Sequence, residues 1–136
     1  MTALPDKEKT GLSKRVLIVD DALIMRKRIK EIAEQAGWEV VGEARNGHEA
    51  VSMYQHDRPD LVTLDIVMPE LDGVAALRKM IEFDAQAKIV MISAVNQKEK
   101  LSECIRAGAM DFIVKPFEKS DLLRFFEKQL STSIQP

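Results

Sequence analysis

Residues 15–21 read RVLIVDD, a β-branched apolar run too short for a helix that closes on two carboxylates, Asp20 and Asp21. The form returns along the chain. LVTL at 61–64 closes on Asp65, KIVMI at 88–92 on Ser93, and FIV at 112–114 on Lys115. A fifth run, EVVGEA at 39–44, lacks such an ending. In an open parallel sheet the carboxyl ends of the strands share one edge, and ligands bind in crevices outside that edge. Four polar endings far apart in sequence therefore converge on one site.

Amphipathic segments separate the runs. Met25, Ile29, Ile32, Ala33 and Ala36 recur at helical spacing, with Arg26, Lys27 and Lys30 on other faces and Gly37 as a stop. Ala50, Val51 and Tyr54 mark a second helix ending near Pro59; Val74, Leu77 and Ile81 mark a third after Gly73. Leu101, Cys104, Ile105 and Gly108 carry a fourth, and Leu122, Leu123, Phe126 and Leu130 a fifth. Strand and helix alternating in this way specify an α/β fold: a doubly wound five-stranded parallel sheet with helices on both faces. Right-handed crossovers leave a few topologies, and the order 2-1-3-4-5 is taken over from flavodoxin-like folds. That order sets the first strand beside the third, so Asp20 and Asp21 adjoin Asp65 where the strand order reverses.

The 136 residues suit a single domain, expected over 14–130, between a disordered tail at 1–13 and a short C-terminal tail at 131–136. Lys and Arg number 20 against 22 Asp and Glu, a formal charge of −2, which argues against nucleic acid as partner. Cys104 is the single cysteine, so no internal disulfide forms and no Cys/His zinc pattern exists. No stretch reads as a signal peptide or reaches the roughly 20 apolar residues of a membrane helix. A reducing, cytoplasmic setting and no membrane insertion are expected.

The acidic trio carries the chemistry. Capping of the following helix explains one polar residue after a strand, but not three carboxylates on adjacent strand ends. Two carboxylates about 4 Å apart repel by roughly 4 kcal/mol at an effective dielectric near 20, so three call for protonation or a bound cation. Mg²⁺ suits one or two carboxylates with retained waters, and no twelve-residue Ca²⁺ loop is present. Lys115 adds a cation that can neutralise a phosphoryl oxygen, and Ser93 a hydroxyl that can donate to another. A carboxylate so placed is a nucleophile for phosphoryl transfer, and the central Asp65 is the candidate acceptor. Pro69 and Gly73, in LDIVMPELDG, turn the chain away and leave it open to a donor.

Together VLIVDD, LDIVMPELDG, MISA and DFIVKPF resemble the receiver domain of bacterial two-component response regulators, over approximately Lys14 to Leu130. The resemblance implies a CheY-like fold with Asp65 as phospho-acceptor, Asp20 and Asp21 as the acidic pair, and the Val67 backbone carbonyl as a further Mg²⁺ ligand. It also implies Ser93 as the hydroxyl switch, Phe112 at the aromatic switch position, Lys115 as the phosphate-contacting lysine, and a cis peptide before Pro116. The implied protein is a phospho-accepting signalling protein rather than an enzyme, fed by a sensor histidine kinase.

Among stand-alone receivers the sequence is most similar to the chemotaxis type, which binds the flagellar motor switch. Its output face is expected on the fourth helix, fifth strand and fifth helix, near Leu101, Ile105, Val114 and Leu122 to Phe125. Phe125 lies off the main apolar stripe and serves either a partner or the core. Alternatives are a phosphorelay intermediate feeding a histidine phosphotransfer protein and a metal-dependent aspartyl-phosphate phosphatase. The latter favours a second Asp two residues after the nucleophile, where this chain has Val67. A flavodoxin-like carrier needs a phosphate-cradling loop that DDALIM lacks. Val67 and Val95 cannot orient an attacking water, so slow phosphate loss is expected unless a phosphatase supplies the missing group.

Overall fold

The computed structural model describes residues 14–132, except for the side chains of Val95 and Thr132. The 1–13 tail and residues 133–136 lie outside this range. Five strands alternate with five helices: β1 (Lys14–Val19), α1 (Leu23–Gln35), β2 (Trp38–Ala44), α2 (Gly47–Asp57), β3 (Leu61–Leu64), α3 (Gly73–Phe83), β4 (Ile89–Ala94), α4 (Lys98–Ala107), β5 (Asp111–Lys115) and α5 (Lys119–Thr132). All pairings are parallel, in the order β2-β1-β3-β4-β5. The doubly wound sheet expected from the alternation is present.

The alternation of side chains along β1 explains why both faces are covered. Leu17 and Val19 join a core with Ala50 and Tyr54 of α2, Leu77 and Met80 of α3, and Leu101 and Cys104 of α4. Val16 and Ile18 point the other way, into a second core with Ile29 and Ile32 of α1 and Leu122 and Phe126 of α5. Burying one such side chain contributes about 1.5–3 kcal/mol, so the two apolar faces of each strand hold the layers in place.

Local signals set the helix ends. Asn46 accepts from the Glu49 amide at 2.9 Å and Asp72 from the Ala75 amide at 3.0 Å, N-capping α2 and α3. Gly108, at φ 119°, ends α4 in a left-handed conformation that a side chain would strain. Before α1 the N-cap is Ala22, which has no capping side chain; the Asp20 carboxylate accepts from the Ala22 amide at 2.9 Å instead.

The structure adjusts or settles several expectations. β4 starts at Ile89 rather than Lys88 and continues to Ala94, because Ser93 and Ala94 pair with Val114 and Lys115 of β5. Helix α5 reaches Thr132, two residues into the expected C-terminal tail. Leu122 is fully buried in the second core and presents no output surface, and Leu101 is only 4% exposed. Phe125 packs against the second core, edge-on to Phe126 at 6.1 Å between ring centres.

Candidate functional site

At the carboxyl edge, Val19 of β1 pairs with Leu64 of β3, so Asp20 and Asp65 follow directly from paired residues. Their backbones stay in the ladder: the Asp20 amide donates to Ala44 at 3.0 Å and the Asp65 amide to Val19 at 3.1 Å. One carboxylate oxygen from each of Asp20, Asp21 and Asp65 lies within 4.8 Å of the others. Asp20 and Asp65 are buried, and Asp21 is exposed.

Lys115, the last residue of β5, reaches into this group. Its ammonium donates to Asp20 Oδ2 at 2.7 Å and stands 3.4 Å from Asp65 Oδ2. The second carboxylate oxygen of Asp20 and of Asp65 each has a backbone donor: Ala22 to Asp20 Oδ1, and Ile66 to Asp65 Oδ1 at 2.8 Å. Burial pushes the Asp65 pKa above the usual carboxylate range; Lys115 opposes that rise and the Asp20 charge adds to it. One ammonium against three carboxylates leaves local negative charge, each pair at such separations repelling by roughly 3–4 kcal/mol at a dielectric near 20. The convergent oxygens retain free lone pairs and so fit a hard, oxygen-loving dication.

Ser93 and Thr63 bury hydroxyls that meet no hydrogen-bond partner among the described residues. Leaving such a group unpaired costs about 1–3 kcal/mol, so each hydroxyl keeps an unused capacity to donate and accept. Ser93 sits near the carboxyl end of β4, beside β3. Thr63, two residues before Asp65 and hence on the same face of β3, escaped the sequence reading because it lies inside an apolar run.

Arg26, expected on a face of α1 other than its apolar stripe, is nonetheless only 8% exposed. One terminal guanidinium nitrogen, Nη1, donates to the Asp20 carbonyl at 2.8 Å, while Nε donates to Glu43 at 3.1 Å. Arg28, further along α1, donates to the Phe117 carbonyl at 3.1 Å and stacks 4.7 Å from that ring, tying down the loop after Lys115. The peptide between Lys115 and Pro116 is cis, as the resemblance implies.

Val67, on the loop after Asp65, is 57% exposed. The side chain of Val95 lies outside what the structure describes. Phe112 is 43% exposed and lines an apolar groove of about 500 Å³ with Leu101, Ile105 and Val114. A larger hollow of about 690 Å³, by Arg26, Glu43, Arg45 and His48, does not include the acidic trio.

A family model described as the response regulator receiver domain matches residues 16–127. The chain belongs to the response regulator receiver family. This receiver is 50% identical over 120 residues to the chemotaxis protein CheY of Bacillus subtilis, covering 88% of this chain and all of that one. It is 50% identical over 117 residues to CheY of Thermotoga maritima, covering 86% of this chain and 98% of that one. Among solved structures it resembles the CheX-CheY-BeF3-Mg²⁺ complex of Borrelia burgdorferi at a TM-score of 0.83 and 35% identity, covering 94% of this receiver and 95% of that chain. No helix among the described residues is long and apolar enough to cross a membrane.

Proposed function

We propose that this receiver accepts a phosphoryl group on Asp65 from a phosphohistidine of a sensor histidine kinase, with Mg²⁺ in the acidic trio, and signals in the cytoplasm by binding another protein. The observation that carries the reading is the Lys115 ammonium set between the Asp20 and Asp65 carboxylates, where Asp21 adds a third oxygen donor. Asp20, Asp21 and Asp65 would hold the ion, with the Val67 carbonyl as the ligand that family resemblance adds. Bound Mg²⁺ neutralises charge on phosphoryl oxygens.

An Asp65 carboxylate oxygen attacks phosphorus in line with the departing imidazole. The O–P bond forms as the P–N bond breaks, and the electron pair of that bond stays on the histidine nitrogen. Lys115 offsets charge on the transferring group as a point cation. The Ser93 hydroxyl, buried without a partner, then donates to a phosphoryl oxygen and draws its loop inward. That shift biases Phe112 on the β4–β5 side and so changes the groove beside α4. The protein turns over no external substrate, in keeping with Val67 where a phosphatase carries its second Asp.

Half-identity to two chemotaxis proteins supports motor control as the output, and the Borrelia neighbour, solved in complex with CheX, supports a protein as binding partner. Incubation with Mg²⁺ and acetyl phosphate should add one phosphoryl mass that hydroxylamine removes, and Asp65→Asn should abolish it. An adduct of equal size in the variant would place the acceptor elsewhere. Capture of a motor-switch peptide only in the presence of a beryllofluoride phosphate mimic would support motor control; capture of a histidine phosphotransfer protein instead would favour a relay.

A further inference from the structure

We propose that Arg26 is a positioning residue that presets Asp21 for the cation. The proposal rests on the reading of the acidic trio as a Mg²⁺ site. Asp20 is held at every polar atom: its amide by Ala44, its carbonyl by Arg26, and its two carboxylate oxygens by Ala22 and Lys115. Asp21 is different. Its side chain is exposed and has no hydrogen bond or ion pair among the described residues. Its place within 4.8 Å of the other two carboxylates is therefore set by its backbone.

The carbonyl that Arg26 grips belongs to the peptide unit joining Asp20 to Asp21. Fixing that plane on one side of Asp21, with the Ala22 amide held on Asp20 Oδ1 on the other, restricts φ and ψ of Asp21 and so the direction in which its side chain leaves the main chain. The grip is itself braced. Glu43 receives Arg26 Nε, and the next residue, Ala44, accepts the Asp20 amide, so the contacts close a ring from β1 through α1 to β2 and back. A guanidinium suits the task because its rigid fork serves two acceptors in fixed geometry. Lys30, 4.0 Å from Glu43, adds only a loose outer contact.

Charge and position make opposite demands on a variant. A cation beside an acidic pocket repels Mg²⁺, so Coulomb's law alone has Arg26→Met binding the ion more tightly. A positioning role has it binding more weakly, because partners outside the ligand set change metal affinity by 10–100-fold. The double variant Arg26→Met/Glu43→Met removes the pair without changing net charge. Buried ion pairs replaced by apolar side chains of similar volume commonly keep their stability, so this variant is the primary one.

Calorimetric titration of the full chain with MgCl2, without phosphodonor, reads the affinity directly, and urea melts check the fold. The expected result is a folded double variant that binds Mg²⁺ about tenfold more weakly than wild type, with Arg26→Met also weaker. Unchanged or tighter binding by the double variant overturns the proposal alone. Tighter binding by Arg26→Met overturns it as well, as does loss of the fold in both variants, which would make the pair a structural tie. No Mg²⁺ binding by wild type would instead sink the site reading, and the proposal with it.

Discussion

The Lys115 ammonium lies 2.7 Å from the Asp20 carboxylate, joining the end of β5 to the end of β1 across two intervening strands. With Asp65 at 3.4 Å, it is the closest cation to two buried acids. Lys115→Met strands both. The variant should be about 1–3 kcal/mol less stable at pH 7. The deficit should shrink as pH falls, because burial already raises the Asp65 pKa and loss of the opposing ammonium raises it further, so a proton takes over the neutralising role there. Urea unfolding at pH 7 and at lower pH checks this, and equal midpoints at pH 7 would refute it.

Asp65→Asn should act in the other direction. Burial raises the Asp65 pKa in the fold, so the folded state holds that proton more tightly than the unfolded chain does. Its ionisation therefore removes stability as pH rises from the unfolded value, near 3.9, through the folded one, and the full penalty applies above both. Replacing the carboxylate with an amide should stabilise the apo protein at pH 7 on the order of 1 kcal/mol, or roughly 3–6 °C in Tm. The gain should fade as pH falls through the folded pKa, be gone below about pH 4, and be offset by Mg²⁺ bound to wild type only. Thermal melts with and without MgCl2 test both parts.

At Gly73 the backbone of α3 packs directly on that of Asp65 and Ile66. A Cβ there would run into the Asp65 carbonyl oxygen and come within 2.7 Å of Ile66 Cα, backbone that cannot swing aside. Gly73→Ala should cost about 1–3 kcal/mol and also weaken Mg²⁺ binding, because relief of the clash moves Asp65. Gly108→Ala, strained at φ 119° but facing only Ile81, should lose stability without changing Mg²⁺ affinity. Calorimetry on both variants separates the effects.

The Val67 side chain carries no polar atom with which to orient a water at the phosphorylated site. Val67→Asn should speed phosphate release from the isolated protein by about tenfold, within the range open to a positioned polar group. Its side chain is 57% exposed, so the change should leave stability within about 0.5 kcal/mol. Release followed by phosphate detection is the measurement; an equal or slower rate would count against it.

Most of the fold and the trio was legible because each depends on local pattern. Short apolar runs ending in Asp, Ser or Lys show both the strands and the edge they share. What escaped depends on partners distant in sequence. Arg26 reads as a surface cation on a helical wheel, yet Glu43, 17 residues on, and the Asp20 carbonyl give it reason to be buried. The extension of β4 through Ser93 is set by hydrogen bonds to β5, and Leu122, which belongs to the apolar stripe of α5, is turned into the second core and away from the expected output face. Thr63 was invisible because a lone hydroxyl inside LVTL resembles a β-branched apolar residue in size.

Trp38, the single tryptophan, opens β2 at the rim opposite the carboxylates and donates its indole N–H to the Phe126 carbonyl at 2.9 Å. Intrinsic emission from this molecule will thus report the seam between β2 and α5. Cation arrival should leave that glow nearly unchanged, while denaturation should shift it to the red, so an optical assay of metal loading needs a reporter built in near Val67.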